Sequence, residues 1–257
     1  MEGALNGLYG GCYQGAALDK TELEIYAGNY YNIYGGSSKA YVAESHITVG
    51  GTTNAGLKTT GEANHNVCIW GGGNEAADTG DTYITFGGEA YAYMIYGGSS
   101  TAGTISGDTH VTINGGEVAQ VFGGCDRVSM TGNTNVTINA GTVTRRIYGG
   151  CYNEDDTTEF HVTGNTNVTI GEGLDFTRTA QSGSSFIQVP AYEGIRAGSR
   201  AGQNFADEVS TLIFTSATAQ SNNAGKYSEG NSRNDAAAVS SAFGSSIAVT
   251  TDNIVVQ

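Results

Sequence analysis

Ile69-Trp70-Gly71-Gly72, Ile95-Tyr96-Gly97-Gly98, Val121-Phe122-Gly123-Gly124 and Ile147-Tyr148-Gly149-Gly150 are copies of one phrase, their first residues 26 positions apart each time. Leu8-Tyr9-Gly10-Gly11 and Ile33-Tyr34-Gly35-Gly36 extend the series upstream with spacings of 25 and 36, the longer one reading as a unit with an inserted loop. A strict period in this range marks stacked repeats.

A second phrase lies between the first: Ile47-Thr48-Val49, Ile84-Thr85-Phe86, Val111-Thr112-Ile113, Val136-Thr137-Ile138 and Val168-Thr169-Ile170. Both phrases alternate apolar and polar residues over a few positions and then meet glycine or another small or polar residue, the pattern of a β-strand running into a corner. No stretch shows a sustained helical period. A third phrase, Gly80-Asp81-Thr82, Gly107-Asp108-Thr109, Gly132-Asn133-Thr134 and Gly164-Asn165-Thr166, reads as a turn, because Asp and Asn bond their own backbone and tolerate left-handed conformations. Wound on itself, such a chain places equivalent residues of successive units about 4.8 Å apart in parallel register. The expected fold is all-β, a single-stranded parallel β-helix (a solenoid) of about 26 residues per coil.

Gly 40 and Pro 1 make 41 of 257 residues, below the roughly 25–30% at which disorder becomes the better reading. The glycines are periodic and read as corners. The chain is expected to be one domain over residues 1–257, with regular coils over about 8–173 and degenerate coils, a long loop and a C-terminal cap over about 174–257. In that last third, Gly194-Ile195-Arg196-Ala197-Gly198 resembles a degenerate corner, Leu212-Ile213-Phe214-Thr215 a strand phrase, and Ile247-Ala248-Val249-Thr250 with Ile254-Val255-Val256 a closing rung. A short helix is expected at Asp235 to Val239 within the polar stretch from Ser216 to Ser246.

A net charge of −14 with only 11 Lys plus Arg argues against nucleic acid, which needs a basic face, and against anionic membranes. An acidic, lysine-poor chain rich in Thr, Ser, Asn and Gly fits an extracellular or cell-surface protein. Met1-Glu2-Gly3 opens the sequence with no apolar run that could serve as a leader or span, and flanking domains of a larger parent protein are expected.

Cys12, Cys125 and Cys151 share the position after the two glycines, where other units carry Ser37, Gly73 and Ser99. Cys125 and Cys151 are therefore neighbours, yet in-register side chains hold their Cβ atoms slightly beyond the usual 3.5–4.5 Å of a disulfide. A ladder of small residues and thiols is expected, with a disulfide as the alternative. The chain has no CxxC and no Cys/His cluster to suggest zinc.

Tyr9, Tyr34, Trp70, Tyr96, Phe122 and Tyr148 share one register, each following an inward Leu, Ile or Val, so strand alternation points them outward. Exposed, they would form a platform for sugar rings; packed, they would fill the bend at the two glycines. Tyr26, Tyr30, Tyr31, Tyr91 and Tyr93 enlarge any aromatic face nearby. Glu75, Asp78 and Asp81 lie within one loop and could supply part of the six to eight oxygen ligands that calcium takes. Glu154, Asp155, Asp156 and Glu159 could do the same. The alternatives are a solvated acidic loop and, for Asp81, Asp108, Asn133 and Asn165, a structural turn ladder.

The units from Leu8 to Gly173 resemble the right-handed parallel β-helix proteins, the pectate-lyase-like superfamily in its broad sense, and the glycine-rich YGG repeats of secreted or surface proteins of gut Firmicutes. The resemblance implies the right-handed coil and leaves activity open, since that superfamily holds lyases, hydrolases, tailspikes and non-catalytic carbohydrate-binding solenoids. A polygalacturonase-type site would need a Gly-His-Gly phrase, which the chain lacks; Asp155-Asp156 is present, and the histidines are His46, His65, His110 and His161. Arg145 or Arg146 could act as a lyase base or substrate clamp, but surface ion pairing is the more ordinary use. The sequence thus favours a non-catalytic adhesion or binding module contacting polysaccharide or host glycan, followed by a structural stalk, followed by a polysaccharide lyase or glycoside hydrolase.

Overall fold

The computed structural model describes residues 4–58, 67–75, 78–152, 160–177, 194–198, 200–201, 209–224, 226–227, 248–249, 251 and 253–257. His65, the Glu154 to Glu159 cluster and the helix expected at Asp235 to Val239 lie outside them.

The structure is all-β, with one large sheet of 13 strands among the described residues, and every pairing described in it is parallel. The strands form two rows. The first holds the Val-Thr-Ile phrases: β2 (Leu18–Ile25), β4 (Val42–Val49), β6 (Thr79–Phe86), the beginnings of β8 (Thr109–Phe122), β9 (Thr134–Tyr148) and β10 (Thr166–Phe176), then β13 (Ser210–Phe214) and β15 (Asn253–Val256). The second holds the aromatic-glycine phrases: β1 (Leu8–Tyr9), β3 (Asn32–Tyr34), β5 (Cys68–Trp70), β7 (Tyr91–Tyr96), the ends of β8 and β9, and β11 (Gly194–Arg196). Strands β8, β9 and β10 are long because they bend from one row towards the other through register shifts at glycine and asparagine.

The repeated phrases stack residue on residue. Leu8 pairs with Ile33, Ile33 with Ile69, Ile69 with Ile95, Ile95 with Val121, Val121 with Ile147 and Ile147 with Ile195. The degenerate last third keeps this register: Ile195 continues one row, while Leu212 on Val168 and Ile254 on Leu212 continue the other. One expectation is corrected there. Ala248–Val249 (β14) is not part of a rung; it pairs antiparallel with Arg200–Ala201 (β12) in a separate two-stranded sheet. The short helix α1 spans Ala217–Asn222, capped by the Ser216 hydroxyl, which accepts from the Ala219 N–H.

Alternation fixes the core. Ile47, Ile84, Val111, Val136 and Val168 from one row meet Ile33, Ile69, Ile95, Val121 and Ile147 from the other in a single buried cluster. Two residues before each of the first set stands a buried hydroxyl, in the column Thr21, Ser45, Thr82, Thr109, Thr134, Thr166 and Ser210. Each of the first five donates across the interior to the carbonyl of a corner glycine: Thr21 to Gly35 at 2.7 Å, Ser45 to Gly71, Thr82 to Gly97 and Thr109 to Gly123 at 2.6 Å, and Thr134 to Gly149 at 2.5 Å. These bonds tie the two rows together inside each unit. They also explain the first glycine: a Cβ on Gly97 would lie 2.1 Å from the Gly123 carbonyl oxygen and 2.9 Å from the Thr109 Cβ. The pattern is broken at Thr166, whose hydroxyl is buried without a partner, in the unit whose corner is the degenerate Ile195-Arg196-Ala197-Gly198.

Candidate functional site

The aromatic column does not form an exposed platform. Tyr34, Trp70, Tyr96, Phe122 and Tyr148 are 7, 6, 1, 0 and 0% exposed, and only Tyr9 at the end is partly open. The rings do point away from the main core, as alternation requires, but they form a second buried cluster with Cys68, Met94 and Tyr152. Two physical causes operate. In-register stacking makes the rings cover one another: centroids are 4.6 Å apart for Tyr9 and Tyr34, 4.7 for Tyr34 and Trp70, 5.8 for Trp70 and Tyr96, and 5.0 for Tyr96 and Phe122, with planes within 13°. A sugar therefore has no ring face to lie on. In addition, the residue four places after each of Trp70, Tyr96, Phe122 and Tyr148 folds back over the column of earlier units. Asn74 donates to the Tyr9 hydroxyl at 3.1 Å, Ser100 bonds Tyr34, Asp126 bonds Tyr96, and the Tyr152 ring covers Phe122 at 5.0 Å.

This burial has an electrostatic signature. Desolvation pushes the Tyr34 and Tyr96 phenols well above their ordinary range, and it pushes the Cys68 thiol up to about 12. At the far end of the column, Arg196 stands in register on Tyr148, buried, its Nη1 donating to the Ile195 carbonyl at 2.8 Å; desolvation lowers its pKa. Arg145 donates to the Tyr93 hydroxyl, and Arg146 is buried with its guanidinium 6.0 Å from the Tyr152 ring.

The three carboxylates expected to share a cation are engaged separately. Glu75 pairs with Lys39 at 3.0 Å. Asp78 accepts from both the Thr104 N–H and hydroxyl at 2.9 Å. Asp81 accepts from the Asp108 N–H at 2.8 Å, one unit on. The last bond repeats: Asp108 accepts from the Asn133 N–H at 2.8 Å, and the Asn133 side-chain oxygen accepts from the Asn165 N–H at 2.9 Å. These side chains are turn ligands, each capping the backbone of the next unit, as the turn-ladder alternative describes. Among the described residues no group of three or more His, Cys, Asp or Glu is placed to hold a metal ion.

The cysteines are free thiols. Their sulfurs accept backbone bonds along the same ladder, Ser99 N–H to the Cys125 Sγ at 3.4 Å and Cys125 N–H to the Cys151 Sγ at 3.3 Å.

The accessible regular surface is the outer side of the first row. One column runs Glu22, His46, Tyr83, His110, Asn135, Asn167 and Thr211, and the next, two residues on, runs Glu24, Thr48, Thr85, Thr112, Thr137, Thr169 and Ile213. Every one of these side chains is partly or fully exposed. His46, Tyr83 and His110 stack at 4.5 and 4.6 Å, and Asn167 donates to the Asn135 side-chain oxygen at 3.3 Å. The threonines stand in the strand phrases; that they align into a broad polar face follows from the parallel register. The chain matches no protein-family model, no curated protein and no solved structure in the comparisons made.

Proposed function

We propose that the chain is a non-catalytic, right-handed parallel β-helix of the broad pectate-lyase-like architecture, and that it binds an extended polysaccharide along the outer face of its first row. The winding is supported by the pairing of each phrase with its copy one repeat later and by the meeting of both rows in one core. One observation carries the binding assignment. Hydroxyl, amide and ring side chains recur on that face at the strand spacing of about 4.8 Å, unit after unit, without a side chain from elsewhere required to complete the pattern. An extended β-linked glycan running along the columns advances by a comparable distance per sugar, so successive hydroxyls meet successive threonines and asparagines. Side-chain hydroxyls and amides are suited to this because each both donates and accepts.

The carboxylates that a hydrolase or a calcium-assisted lyase would draw on, Asp78, Asp81 and Asp108, are held by backbone or hydroxyl donors of the next unit, which favours the binding reading. The acidic, lysine-poor composition supports an extracellular or cell-surface setting. A rigid spacer is the second reading, favoured by the hydroxyl ladder that ties the rows in five consecutive units.

The test is affinity electrophoresis on a panel of neutral and acidic polysaccharides, with parallel assay for released chain ends. Retardation without cleavage is the expected result, lost in Thr112→Glu/Thr137→Glu, whose far-ultraviolet spectrum stays that of the parent. Retention of full binding by this variant removes the face from the site; no retardation by any polysaccharide leaves the spacer.

A further inference from the structure

Beside the threonine column the outer face is interrupted in two consecutive early units, as it is again later at Gly171. The residues that follow the inward column Ile25, Val49, Phe86 and Ile113 are Tyr26, Gly50, Gly87 and Asn114, and they continue its register, with the Gly50 N–H bonded to the Ile25 carbonyl at 2.8 Å and the Gly87 N–H to that of Val49 at 2.9 Å. Two consecutive units thus lack a side chain where the flanking units have a tyrosine and an asparagine. Tyr26 leans onto the first gap: its ring lies 3.2 Å from where a Cβ on Gly50 would stand, and Gly50 is buried beneath it while the tyrosine stays 54% exposed. The second gap is open. A Cβ on Gly87 would meet nothing closer than 3.6 Å, the Asn114 Cβ, and Gly87 is partly exposed.

Gly87 has no conformational reason to be glycine, since the left-handed positions in this turn are Gly51 and Gly88, at φ 54° and 67°. The column accepts side chains on either side, so the missing one leaves space rather than relieving a clash. On the far wall, Asn139 donates to the Asn114 side-chain oxygen at 2.8 Å, which orients that amide. Two residues before each member of the column, on the same side, stand Glu24, Thr48, Thr85 and Thr112, of which Glu24 and Thr85 are exposed. Glu89, also exposed, follows in the turn.

We infer that this notch, floored by Gly87 and walled by Tyr26 and Asn114, is a subsite for one neutral hexopyranose unit of the polysaccharide. The inference rests on the binding reading above and adds the place and the sugar class. A pyranose offers an apolar C–H face and a rim of hydroxyls. Unlike the rings of the buried column, Tyr26 is 54% exposed and offers apolar ring surface beside the gap, which suits the C–H face. The Thr85 hydroxyl and the Asn114 amide supply both donors and acceptors for the rim. The charged side chains that flank the notch, Glu24 and Glu89, are carboxylates, so a uronate or sulfated sugar is repelled and a neutral one is not.

Titration with cellohexaose and mannohexaose as neutral probes and a hexauronate as acidic probe, followed by calorimetry, tests this. At least one neutral probe is expected to bind, and Tyr26→Ala, Asn114→Ala and Gly87→Leu are each expected to weaken it by tenfold or more at an unchanged unfolding midpoint; Asn114→Ala decides the matter if Gly87→Leu fails to fold. Wild-type affinity in Tyr26→Ala and Asn114→Ala, alongside lost binding in Thr112→Glu/Thr137→Glu, overturns the notch and leaves the face. Preference for the hexauronate overturns the sugar class. Absence of binding to every probe and polysaccharide overturns both.

Discussion

Thr109 shows how much one hydroxyl is asked to do. It is buried between the rows, and its bond to the Gly123 carbonyl is one of five equivalent ones. Thr109→Val keeps the shape and removes the donor, leaving a buried carbonyl with one bond fewer; a loss of about 1–3 kcal/mol is expected by urea denaturation. Thr109→Ser should cost much less, because Ser45 makes the same bond in its own unit at 2.6 Å. Equal losses for the two substitutions would show that the methyl, not the hydroxyl, is what matters. Alternation from Ile84 and Phe86 puts Thr82 and its equivalents inside, while the glycine and Asp or Asn just before them read as a turn. The buried acids give a second prediction at this scale. Cys68, Tyr34 and Tyr96 keep their protons more tightly when folded than when unfolded, so the unfolded chain releases protons first as pH rises. Their contribution is fully present below the ordinary thiol value of 9.0 and is lost progressively through about 12, the folded value for Cys68. The unfolding midpoint should therefore fall across that window, and Cys68→Ala should make the fall shallower.

Among the elements, the aromatic column and the turn ladder have the same logic and opposite chemistry. In each, one unit supplies what the next one lacks: a ring face in the first, a side-chain oxygen for a backbone N–H in the second. Trp70 stacks between Tyr34 and Tyr96 and is 6% exposed, so Trp70→Ala opens a large cavity in the second cluster and should cost about 3–5 kcal/mol. The same change should leave polysaccharide binding per folded molecule intact, since the column is buried; loss of binding in a folded Trp70→Ala protein would return the column to the site. In the turn ladder, Asp108→Ala removes the acceptor for the Asn133 N–H and should cost about 1 kcal/mol, whereas Asp108→Asn should be nearly silent, because Asn133 itself does this for Asn165. A large effect of the amide would mean that the charge of Asp108 is used. The strand phrases and their columns were legible because parallel stacking converts a sequence period directly into a spatial column. What covers the aromatic column was not, because Asn74 and Ser100 reach rings two units earlier, and no spacing within a single phrase encodes that reach.

For the whole molecule, the same stacking that makes the columns also gathers charge. Glu44 and Asp81 pair on neighbouring strands, with Asp108 just before the next one and Glu22 and Glu24 beside them, in a chain of net charge −14. Like charges opposite one another on neighbouring strands are destabilising, and Lys20, 3.7 Å from Glu22 and 3.9 Å from Glu44, offsets this only at one edge. The ladders hold the strands in register regardless, so the repulsion is carried as lost stability instead of being relieved by movement. Screening should return it. Glu22 and Glu24 are exposed, Glu44, Asp81 and Asp108 partly so, and neighbours among them lie within about 10 Å, the Debye length at 0.1 M, so raising monovalent salt from 0.01 to 0.15 M should increase the unfolding midpoint by a few degrees. Glu22→Gln/Glu24→Gln should raise the midpoint at low salt and shrink the salt response. A midpoint that is flat or falls with salt would mean that the acidic columns are balanced by attractive pairs, and that the outer face is not the acidic margin that excludes charged sugars from the Tyr26 notch.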